Sequence, residues 1–407
     1  MTRPSRILYI SHTSPVPAKI GPSRRHYHIL DQLARFYDVH LLSLGMPSEE
    51  QMFRETFADR VPNFHYAAVQ HRREIRLTRK LWRTLTGRCD FMPVLEPNLR
   101  RLLADVTSRH PFDAIILSIP LLFGLPLPHG VPIVGDSHNV ESDVLKRTSV
   151  LAETYMRRRY ALRQARCTFR EERRCSLGVD LLLANSDRDR QVFEIEFDVQ
   201  NIAVVPNGVD IAEFSPPKSP GEPGTILFTG LMSYYPNQQA IRWFLSEVFP
   251  LILKKVPDAK LIVAGARPPA WLLHKRSAVV EVTDAVPDMR PYFERARVVI
   301  APLMIGGGTR VKILEAQAMS RPVVSTTLGA EGIDGRDGHT ILLADQPASF
   351  AAQVSRLLTD SDFAAEMGAN GRRHVARFYD WNRIGEHLEA TLRERIGLDS
   401  RDVAVAV

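Results

Sequence analysis

The sequence has few of the features that would export a protein or anchor it in a membrane. Its 407 residues include three cysteines, Cys89, Cys167 and Cys175, with neither metal-ligand spacing nor an even disulfide framework. No secretory signal precedes the first apolar segment, RILYIS. The most apolar run, residues 114–128, is interrupted by prolines and is too short to span a bilayer. We therefore expect a cytoplasmic protein, or one attached at most to the inner surface of a membrane.

A second absence concerns the loop after the first apolar segment. A dinucleotide-binding domain carries Gly-x-Gly-x-x-Gly there, whereas residues 11–30 read SHTSPVPAKIGPSRRHYHIL. This argues against a nicotinamide or flavin enzyme. The net charge of +7 indicates an anionic partner instead: a nucleotide diphosphate, an anionic lipid or nucleic acid. No nucleic-acid recognition motif accompanies the charge, so we expect no nucleic-acid partner.

Continuous apolar segments alternate with helical segments through the N-terminal half. This pattern predicts a parallel sheet covered by helices on both faces, with ligands bound beyond the carboxyl ends of the strands. A Pro/Gly/Ser-rich tract, residues 214–224, precedes a second series of strands and helices. The predicted strands of the first half are Ile7–Ser11, Val39–Leu44, His65–Val69, Ala114–Ser118, Pro132–Gly135, Leu181–Ala184 and Ala203–Val205. The predicted division is 1–205 for an N-terminal domain, 206–224 for a linker, 225–380 for a C-terminal domain and 381–407 for a final helix and tail.

The most informative stretch is residues 305–333, IGGGTRVKILEAQAMSRPVVSTTLGAEGI. It predicts a glycine loop between a buried strand and a helix over 310–319, with Thr309 as the N-cap. Glycines let a ligand approach the backbone, and a helix start offers unpaired N–H groups and partial positive charge. Arg310 and Lys312 add two full positive charges. The stretch therefore predicts a diphosphate site.

Glu315 follows in the apolar part of the same predicted helix. A buried carboxylate needs a partner, because leaving it unpaired costs several kcal/mol. Two partners are open: Lys312, three residues earlier, and a pair of sugar hydroxyls. A surface pair of Lys312 and Glu315, worth roughly 0.2–0.5 kcal/mol, is the purely structural alternative.

These residues resemble the signature of retaining glycosyltransferase family 4, whose members have the GT-B fold. The family pattern is an acidic residue, seven residues, Glu, then Ala-x-Ala-x-x-x-Pro-Val-Val and, later, Glu-Gly. Its first acidic position is Gly307 here, which places the chain in the branch with a Gly-Gly-x-Arg-x-Lys loop. The matching residues are Glu315, Ala316, Ala318, Pro322, Val323, Val324, Glu331 and Gly332.

The resemblance implies two Rossmann-like domains that face a cleft, with C-terminal helices crossing back to the first domain. The C-terminal domain would hold a nucleotide sugar and the N-terminal domain an acceptor. Arg310 and Lys312 would bind the diphosphate, Glu315 the ribose, and backbone near Val286 the base. The implied nucleotide-sugar-binding residues are Gly230, Val286, Gly307, Gly308, Thr309, Arg310, Lys312 and Glu315.

A cluster of polar residues follows the predicted strand at 132–135. In the family, a His at the end of this strand faces the donor sugar across the cleft, and His138 takes that position here. We therefore assign His138, Arg310 and Lys312 as the catalytic residues.

Weaker candidates lie on the acceptor side: Arg24, Arg25, Asp136 and Glu141. For Arg24, Arg25 and the adjacent His26, a solvated helix start is the favoured alternative. Asp136 or Glu141 could also serve only as a cap of the helix that starts near Glu141.

The implied activity is metal-independent transfer of a hexose, with retention at the anomeric carbon, as in polysaccharide biosynthesis. The donor would be a UDP- or GDP-linked sugar, and the acceptor a glycan, a lipid-linked molecule or a small molecule. No cofactor is expected, because Arg310, Lys312 and the helix start supply the positive charge that the leaving diphosphate needs. The alternatives are a nucleotide-sugar epimerase of the same architecture and an inactive subunit that only binds the nucleotide sugar.

Two arginine-rich segments, residues 71–83 and 156–174, predict basic helices. Leu77, Leu81 and Trp82 make the first amphipathic, which is typical of helices on anionic membrane surfaces. An exposed arginine-rich helix with no membrane partner is an equal alternative.

Overall fold

The computed structural model describes residues 3–18, 21–68, 97–150 and 154–401. The arginine-rich segment at 71–83 lies outside these ranges. The chain divides into two compact units: unit 1 is Met1–Pro206 with Gly385–Val407, and unit 2 is Asn207–Ile384. Each unit contains one sheet of parallel strands with helices around it, so the predicted α/β fold with two Rossmann-like domains is confirmed.

Unit 1 is built on a seven-stranded sheet of order β3-β2-β1-β4-β5-β6-β7, and each neighbouring pair is parallel. The strands are β1 (Arg6–Ser11), β2 (Asp38–Gly45), β3 (Asn63–Ala68), β4 (Ala114–Leu117), β5 (Ile133–Asp136), β6 (Leu181–Ala184) and β7 (Ile202–Val204). The helices are α1 (Gly21–Phe36), α2 (Pro47–Phe57), α3 (Pro97–Arg109), α4 (Glu141–Val150), α5 (Tyr155–Gly178) and α6 (Asp187–Phe197), with a 3₁₀ helix at Pro120–Gly124. All residues of β4 and β6 are buried, as expected for central strands covered on both faces.

Unit 2 is built on a six-stranded sheet of order β10-β9-β8-β11-β12-β13. The strands are β8 (Thr225–Thr229), β9 (Lys260–Ala264), β10 (Val280–Val282), β11 (Val298–Ala301), β12 (Val323–Ser325) and β13 (Leu342–Leu343). The helices are α7 (Tyr235–Trp243), α8 (Phe249–Lys255), α9 (Ala270–Leu273), α10 (Arg290–Arg295), α11 (Val311–Ala318), α12 (Pro347–Thr359), α13 (Ser361–Phe378) and α14 (Trp381–Ile396). A π-helical turn, Phe244–Val248, joins α7 to α8.

The core of unit 2 lies on both faces of its sheet. Successive residues of a strand point to opposite faces, and β8 shows this directly. Ile226 and Phe228 belong to one buried cluster, whereas Leu227 belongs to another that also contains Ile313 and Leu314 of α11. The packing of α11 against this face of the sheet fixes the position of the preceding loop. The predicted diphosphate site begins in that loop.

From Asn207 onwards, the tract that we expect to be a linker is part of unit 2. Arg372 on α13 donates to the carbonyl oxygens of Ile211 and Phe214, both at 3.0 Å. Arg321 donates to the carbonyl of Ser219 at 2.9 Å. These hydrogen bonds form in a Pro- and Gly-rich tract because backbone carbonyls accept from arginines whatever the composition around them.

The last helix, α14, begins at Trp381 as predicted, and the chain from Gly385 onwards belongs to unit 1. Within unit 1, the backbone N–H of Asp399 donates to Oγ of Ser5 at 2.9 Å. Across the described ranges, none of the helices combines the length and apolar character that a bilayer crossing requires.

Candidate functional site

Three turns at the carboxyl ends of β8, β9 and β10 contact one another in unit 2. The N–H of Gly230 donates to the carbonyl of Ala264 at 3.1 Å, and the N–H of Gly265 donates to Oγ1 of Thr283 at 3.1 Å. Gly265 has φ +148°, and a Cβ there would collide with the carbonyl oxygen of Gly230. Only glycine allows so close an approach, so the two turns form one continuous backbone surface at this edge of the sheet.

The glycine loop after β11 lies at the same edge. Gly306 has φ +139° and Gly308 φ +69°, both in the region that favours glycine. The guanidinium of Arg310 donates to the carbonyl of Gly307, and a Cβ on Gly306 would lie 2.5 Å from Nη2 of Arg310. The loop is therefore folded around the Arg310 side chain, which is why it needs glycine.

The helix that follows this loop starts later than predicted. α11 runs from Val311 to Ala318, with Arg310 at the N-cap position and no side-chain cap. Thr309 is therefore not the N-cap, and its Oγ1 donates to the carbonyl of Gly332 at 3.3 Å. The prediction missed this because Arg310 itself has extended backbone, with φ −83° and ψ 93°, whereas capping preference alone favours Thr. The hydrogen bond holds the Glu-Gly part of the signature against the loop.

Lys312 is partly buried in the first turn of α11. Its ammonium donates to Oδ1 of Asn237 at 3.0 Å and lies 4.4 Å from the ring centroid of Phe228. A Cβ on Gly230 would lie 3.2 Å from Nζ of Lys312. Two residues predicted from separate motifs, Gly230 and Lys312, are therefore adjacent in the structure.

The charge state of this lysine is finely balanced. Desolvation, together with the neighbouring Arg310, lowers the pKa of Lys312 to about 7. A second charge of the same sign and a dry environment both disfavour the ammonium form. A bound dianion would remove that disadvantage, since it would supply the missing counter-charge.

Glu315 is 5% exposed, on the buried face of α11. Two partners were open for Glu315: Lys312 and a pair of sugar hydroxyls. In the structure, the ammonium of Lys312 donates to Asn237.

Val286 lies in the loop after β10. This loop is joined to the β9 turn, because Oδ1 of Asp284 accepts from the N–H of Arg267 at 3.1 Å.

In unit 1, Arg25 and Asp136 form a buried ion pair. Nη2 of Arg25 lies 2.6 Å from Oδ1 of Asp136, Nε lies 3.0 Å from Oδ2, and Nη2 also donates to the carbonyl of Val205 at 2.8 Å. The two side chains are 1% and 0% exposed. The favoured interpretation of a solvated helix start was therefore wrong for Arg25 and for His26, which is also buried. Arg24, by contrast, donates to the carbonyl of Ala18 at 3.1 Å.

Three histidines meet beside this ion pair. Nε2 of His26 and Nε2 of His138 are 3.2 Å apart, and the ring of His12 is centred 5.1 Å from that of His26. Burial lowers the pKa of all three, that of His12 to about 4. Each ring is therefore neutral at pH 7, and one Nε2 of the His26–His138 contact donates to the other. Of these three histidines, only His138 was assigned a catalytic role from the sequence.

Glu141 does not cap the helix that it begins. Glu172 of α5 accepts from the backbone N–H groups of Glu141 and Ser142, at 2.7 and 2.9 Å. Burial and the nearby Glu172 raise the pKa of Glu141 to about 8. Asp136 caps nothing either, since it is held by Arg25, so both capping interpretations were wrong.

Among the described residues, no group of three or more His, Cys, Asp or Glu side chains has the geometry of a metal site. Two Asp-x-Asp triplets occur in the chain, at 187–189 and 360–362, and both lie at helix starts. Asp187 pairs with Arg190 at 3.0 Å, and Asp360 accepts from the N–H of Phe363 at 3.0 Å. Asp187 therefore serves in an ion pair and Asp360 in helix capping.

Two protein-family models match the chain, one in each half. The model for Glycosyltransferase Family 4 matches residues 21–213, and the model for Glycosyl transferases group 1 matches residues 223–360. Solved structures with the same fold span almost the whole chain. Sucrose-phosphate synthase from Thermosynechococcus elongatus aligns with a TM-score of 0.69 and 16% identity, covering 96% of this chain and 98% of that one. Anabaena HepE in complex with UDP and glucose aligns with a TM-score of 0.68 and 13% identity, covering 96% and 100%.

Both halves of the chain therefore resemble glycosyltransferases of the GT4 type. The GT-B fold, predicted from the signature residues, is confirmed. Among curated proteins, a D-inositol 3-phosphate glycosyltransferase from Corynebacterium kroppenstedtii is 26% identical over 245 residues, 54% of each chain. A 44.6 kDa protein of the cps region of Klebsiella pneumoniae is 24% identical over 168 residues, 39% of this chain and 43% of that one. The chain thus spans about half the length of the curated relatives that it matches.

Proposed function

We propose that the protein is a retaining, metal-independent hexosyltransferase that uses a UDP- or GDP-linked sugar. Its donor site would lie in unit 2, at the carboxyl edge of the sheet. The proposal rests on the position of Lys312, whose ammonium lies beside Gly230 in the turn after β8 (the Gly230 turn). The adjacent glycine loop is held by the hydrogen bond from Arg310 to the carbonyl of Gly307. Two cations and glycine backbone at one place suit a diphosphate.

The chemistry assigned to this site is stabilisation of a leaving group. Departure of the nucleoside diphosphate leaves negative charge on its terminal phosphate, while the sugar becomes oxocarbenium-like. Arg310 and Lys312 would hold that charge, with the backbone of Gly307, Gly308 and Thr309 around the phosphates. Preorganised charge of this kind lowers the barrier, because no solvent has to reorient as the bond breaks.

The buried Glu315 would accept hydrogen bonds from the ribose hydroxyls. A carboxylate can accept from two neighbouring hydroxyls at once, and such bonds to a charged group are worth about 1.5–3 kcal/mol. The backbone near Val286 would contact the base. A donor screen with UDP- and GDP-linked sugars determines which base is bound.

We assign a catalytic role to His138 of unit 1, which is uncharged at neutral pH because burial lowers its pKa. His138→Ala should lower kcat by at least about tenfold, because a positioned polar group contributes mainly in the transition state. The affinity for UDP, measured by calorimetry, should stay within about twofold of wild type. A fall in UDP affinity as large as the fall in kcat would contradict the assignment. His110→Ala, on the same unit, is the matched control.

The direct test is a donor screen with the full chain, read by mass spectrometry. UDP- and GDP-linked hexoses are offered with glycan, lipid-linked and small-molecule acceptors, each with and without EDTA. We expect acceptor-dependent release of the nucleoside diphosphate, unaffected by EDTA, and a product that keeps the anomeric configuration of the donor. Loss of activity in EDTA that a divalent metal restores would contradict metal independence.

The same screen separates the alternatives. An epimerase would convert a nucleotide sugar to its isomer without any acceptor. An inactive subunit would bind UDP or GDP in calorimetry but never release it from the sugar nucleotide. Either result would overturn the proposed transfer while keeping the nucleotide site in unit 2.

We also propose peripheral contact with an anionic membrane through the start of α5. Tyr155 and Met156 are 71% and 73% exposed there, next to three successive arginines, 157–159. Exposed apolar side chains among basic ones bind anionic bilayers, because apolar insertion and lipid charge act together.

Vesicle co-sedimentation tests this contact. The protein should bind phosphatidylserine-containing vesicles at low salt, and Met156→Asp with Arg158→Glu should weaken binding about tenfold or more. Ile195→Asp, which changes an 80% exposed side chain on α6, is the control and should bind as wild type does. Absence of wild-type binding at low salt would remove the membrane proposal.

A further inference from the structure

The Gly230 turn has no cation of its own. Residues 230–234 read GLMSY, and the helix α7 that follows begins at Tyr235 without an acidic or basic residue in its first turn. A diphosphate on this turn would therefore meet no cation from the turn itself. The positive charge at the turn comes instead from Lys312, which belongs to a different strand-loop-helix segment of unit 2.

Asn237 connects these two segments. It lies in the first turn of α7, is 6% exposed, and its Oδ1 accepts from the ammonium of Lys312 at 3.0 Å. Its Nδ2 donates to the carbonyl of Leu231 at 2.9 Å, inside the Gly230 turn. That second bond fixes which end of the amide faces the lysine, because the nitrogen must point to the carbonyl and the oxygen then points to Lys312.

Gly230 makes room for this arrangement. A Cβ at Gly230 would lie 2.7 Å from Nδ2 of Asn237 and 3.2 Å from Nζ of Lys312. The glycine, the amide and the ammonium therefore occupy one tightly packed group. The ring of Phe228 covers the ammonium from the sheet side at 4.4 Å, which limits the other positions that Nζ can take.

We propose that Asn237 is a positioning residue of the donor site, which holds the Lys312 ammonium beside the Gly230 turn where the diphosphate binds. The inference rests on the proposed function and adds a residue to it. Asn237 acts through the lysine: a neutral acceptor orients the ammonium without cancelling its charge. A carboxylate in its place would orient the lysine equally well but would repel the diphosphate.

Donor binding beside Lys312 should also depend on pH, because the ammonium titrates near neutrality. The groups around the ammonium are Arg310 on its own segment, which is charged, and Phe228 and Asn237 on the other segment, which are not. Desolvation and Arg310 place the pKa of Lys312 at about 7, and a bound diphosphate raises it. Below pH 7 the lysine is already charged. Above pH 7 binding takes up a proton, so affinity falls as the pH rises.

Calorimetry with UDP and with GDP, on the full chain between pH 6.5 and 9, tests the proposal. The wild type should show affinity that declines above about pH 7 and proton uptake that differs between buffers of high and low ionisation enthalpy. Asn237→Ala removes an acceptor from the ammonium, so the decline should begin at lower pH and Kd at pH 8 should rise about tenfold. Ratios of variant to wild-type Kd are compared, since the titration of the nucleotide itself then cancels.

A second variant moves the pH profile the other way. Asn237→Asp keeps an acceptor and adds negative charge, so the lysine stays protonated and the decline should begin above pH 7. A merely structural disturbance would not shift the two profiles in opposite directions. Gln239→Ala is the matched control, because its amide lies on the same helix and donates to the hydroxyl of Tyr235 at 2.8 Å.

The outcomes distinguish the role of Asn237 from the proposed donor site. Profiles of both Asn237 variants that match wild type, or that shift together, overturn the role of Asn237. If Lys312→Met also binds UDP and GDP as wild type does, the proposed donor site itself is wrong. If Lys312→Met loses binding and the Asn237 variants do not, only the present inference fails.

Discussion

Replacing Lys312 by methionine should lower kcat/KM for the sugar nucleotide by about 10²–10³. The change removes one charge from the site at which the leaving diphosphate develops its own, and losing one such contact typically costs that much. Methionine keeps the length and apolar stem of the side chain, so the contact with Phe228 is largely retained. Arg310→Ala should have an effect of similar size, since its guanidinium lies in the adjacent glycine loop.

Lys255→Met is the control for this prediction, because it removes an exposed charge at the end of α8 in the same unit. Initial rates with saturating acceptor, and folding checked by thermal melting, complete the measurement. Wild-type kcat/KM in both Lys312→Met and Arg310→Ala would show that the diphosphate binds elsewhere.

Breaking the buried pair of Arg25 and Asp136 should destabilise unit 1 by about 3–5 kcal/mol. Asp136→Asn leaves the Arg25 guanidinium buried without its counter-charge, and an uncompensated buried charge carries a penalty of that size. Replacing both partners, as Arg25→Met with Asp136→Leu, should recover much of the loss, since it removes the need to desolvate either charge.

Hydrogen exchange measured by mass spectrometry assigns this loss to one unit. Peptides from β1 and β5 should exchange faster in Asp136→Asn, whereas peptides from β8 and β11 should keep wild-type protection. Asp187→Asn is the control, because its pair with Arg190 is exposed and should contribute at most about 1 kcal/mol. An Asp136→Asn protein with wild-type protection in unit 1 would show that the pair is not structural, and would favour its predicted place on the acceptor side.

The sheets could be predicted from the sequence because the signal is local. Continuous apolar runs between helical segments indicate strands, and for β1, β4 and β6 the predicted bounds agree with the structure to within one residue. The glycine loop before α11 could be located for the same reason, since its glycines, cations and buried helix follow one another in the chain.

The contacts that complete the site could not be predicted, because they join distant positions. Asn237 and Lys312 are 75 residues apart, and Arg25 and Asp136 are 111 apart. Nothing in the neighbouring sequence of Asn237 distinguishes it from an ordinary helix start after a proline. The charges of Arg25 and Asp136 suggested that these side chains contact solvent or a ligand. Only the packing of α1 against the end of β5 shows that the two charges neutralise each other.

The most direct measurement is a crystal structure of the full chain with UDP or GDP bound. We expect both phosphates in unit 2, within hydrogen-bond distance of Nζ of Lys312 and of backbone N–H groups in the Gly306–Gly308 loop. The ribose hydroxyls should then lie against Glu315. A nucleotide bound with its phosphates remote from Lys312 and Arg310 would contradict the central claim.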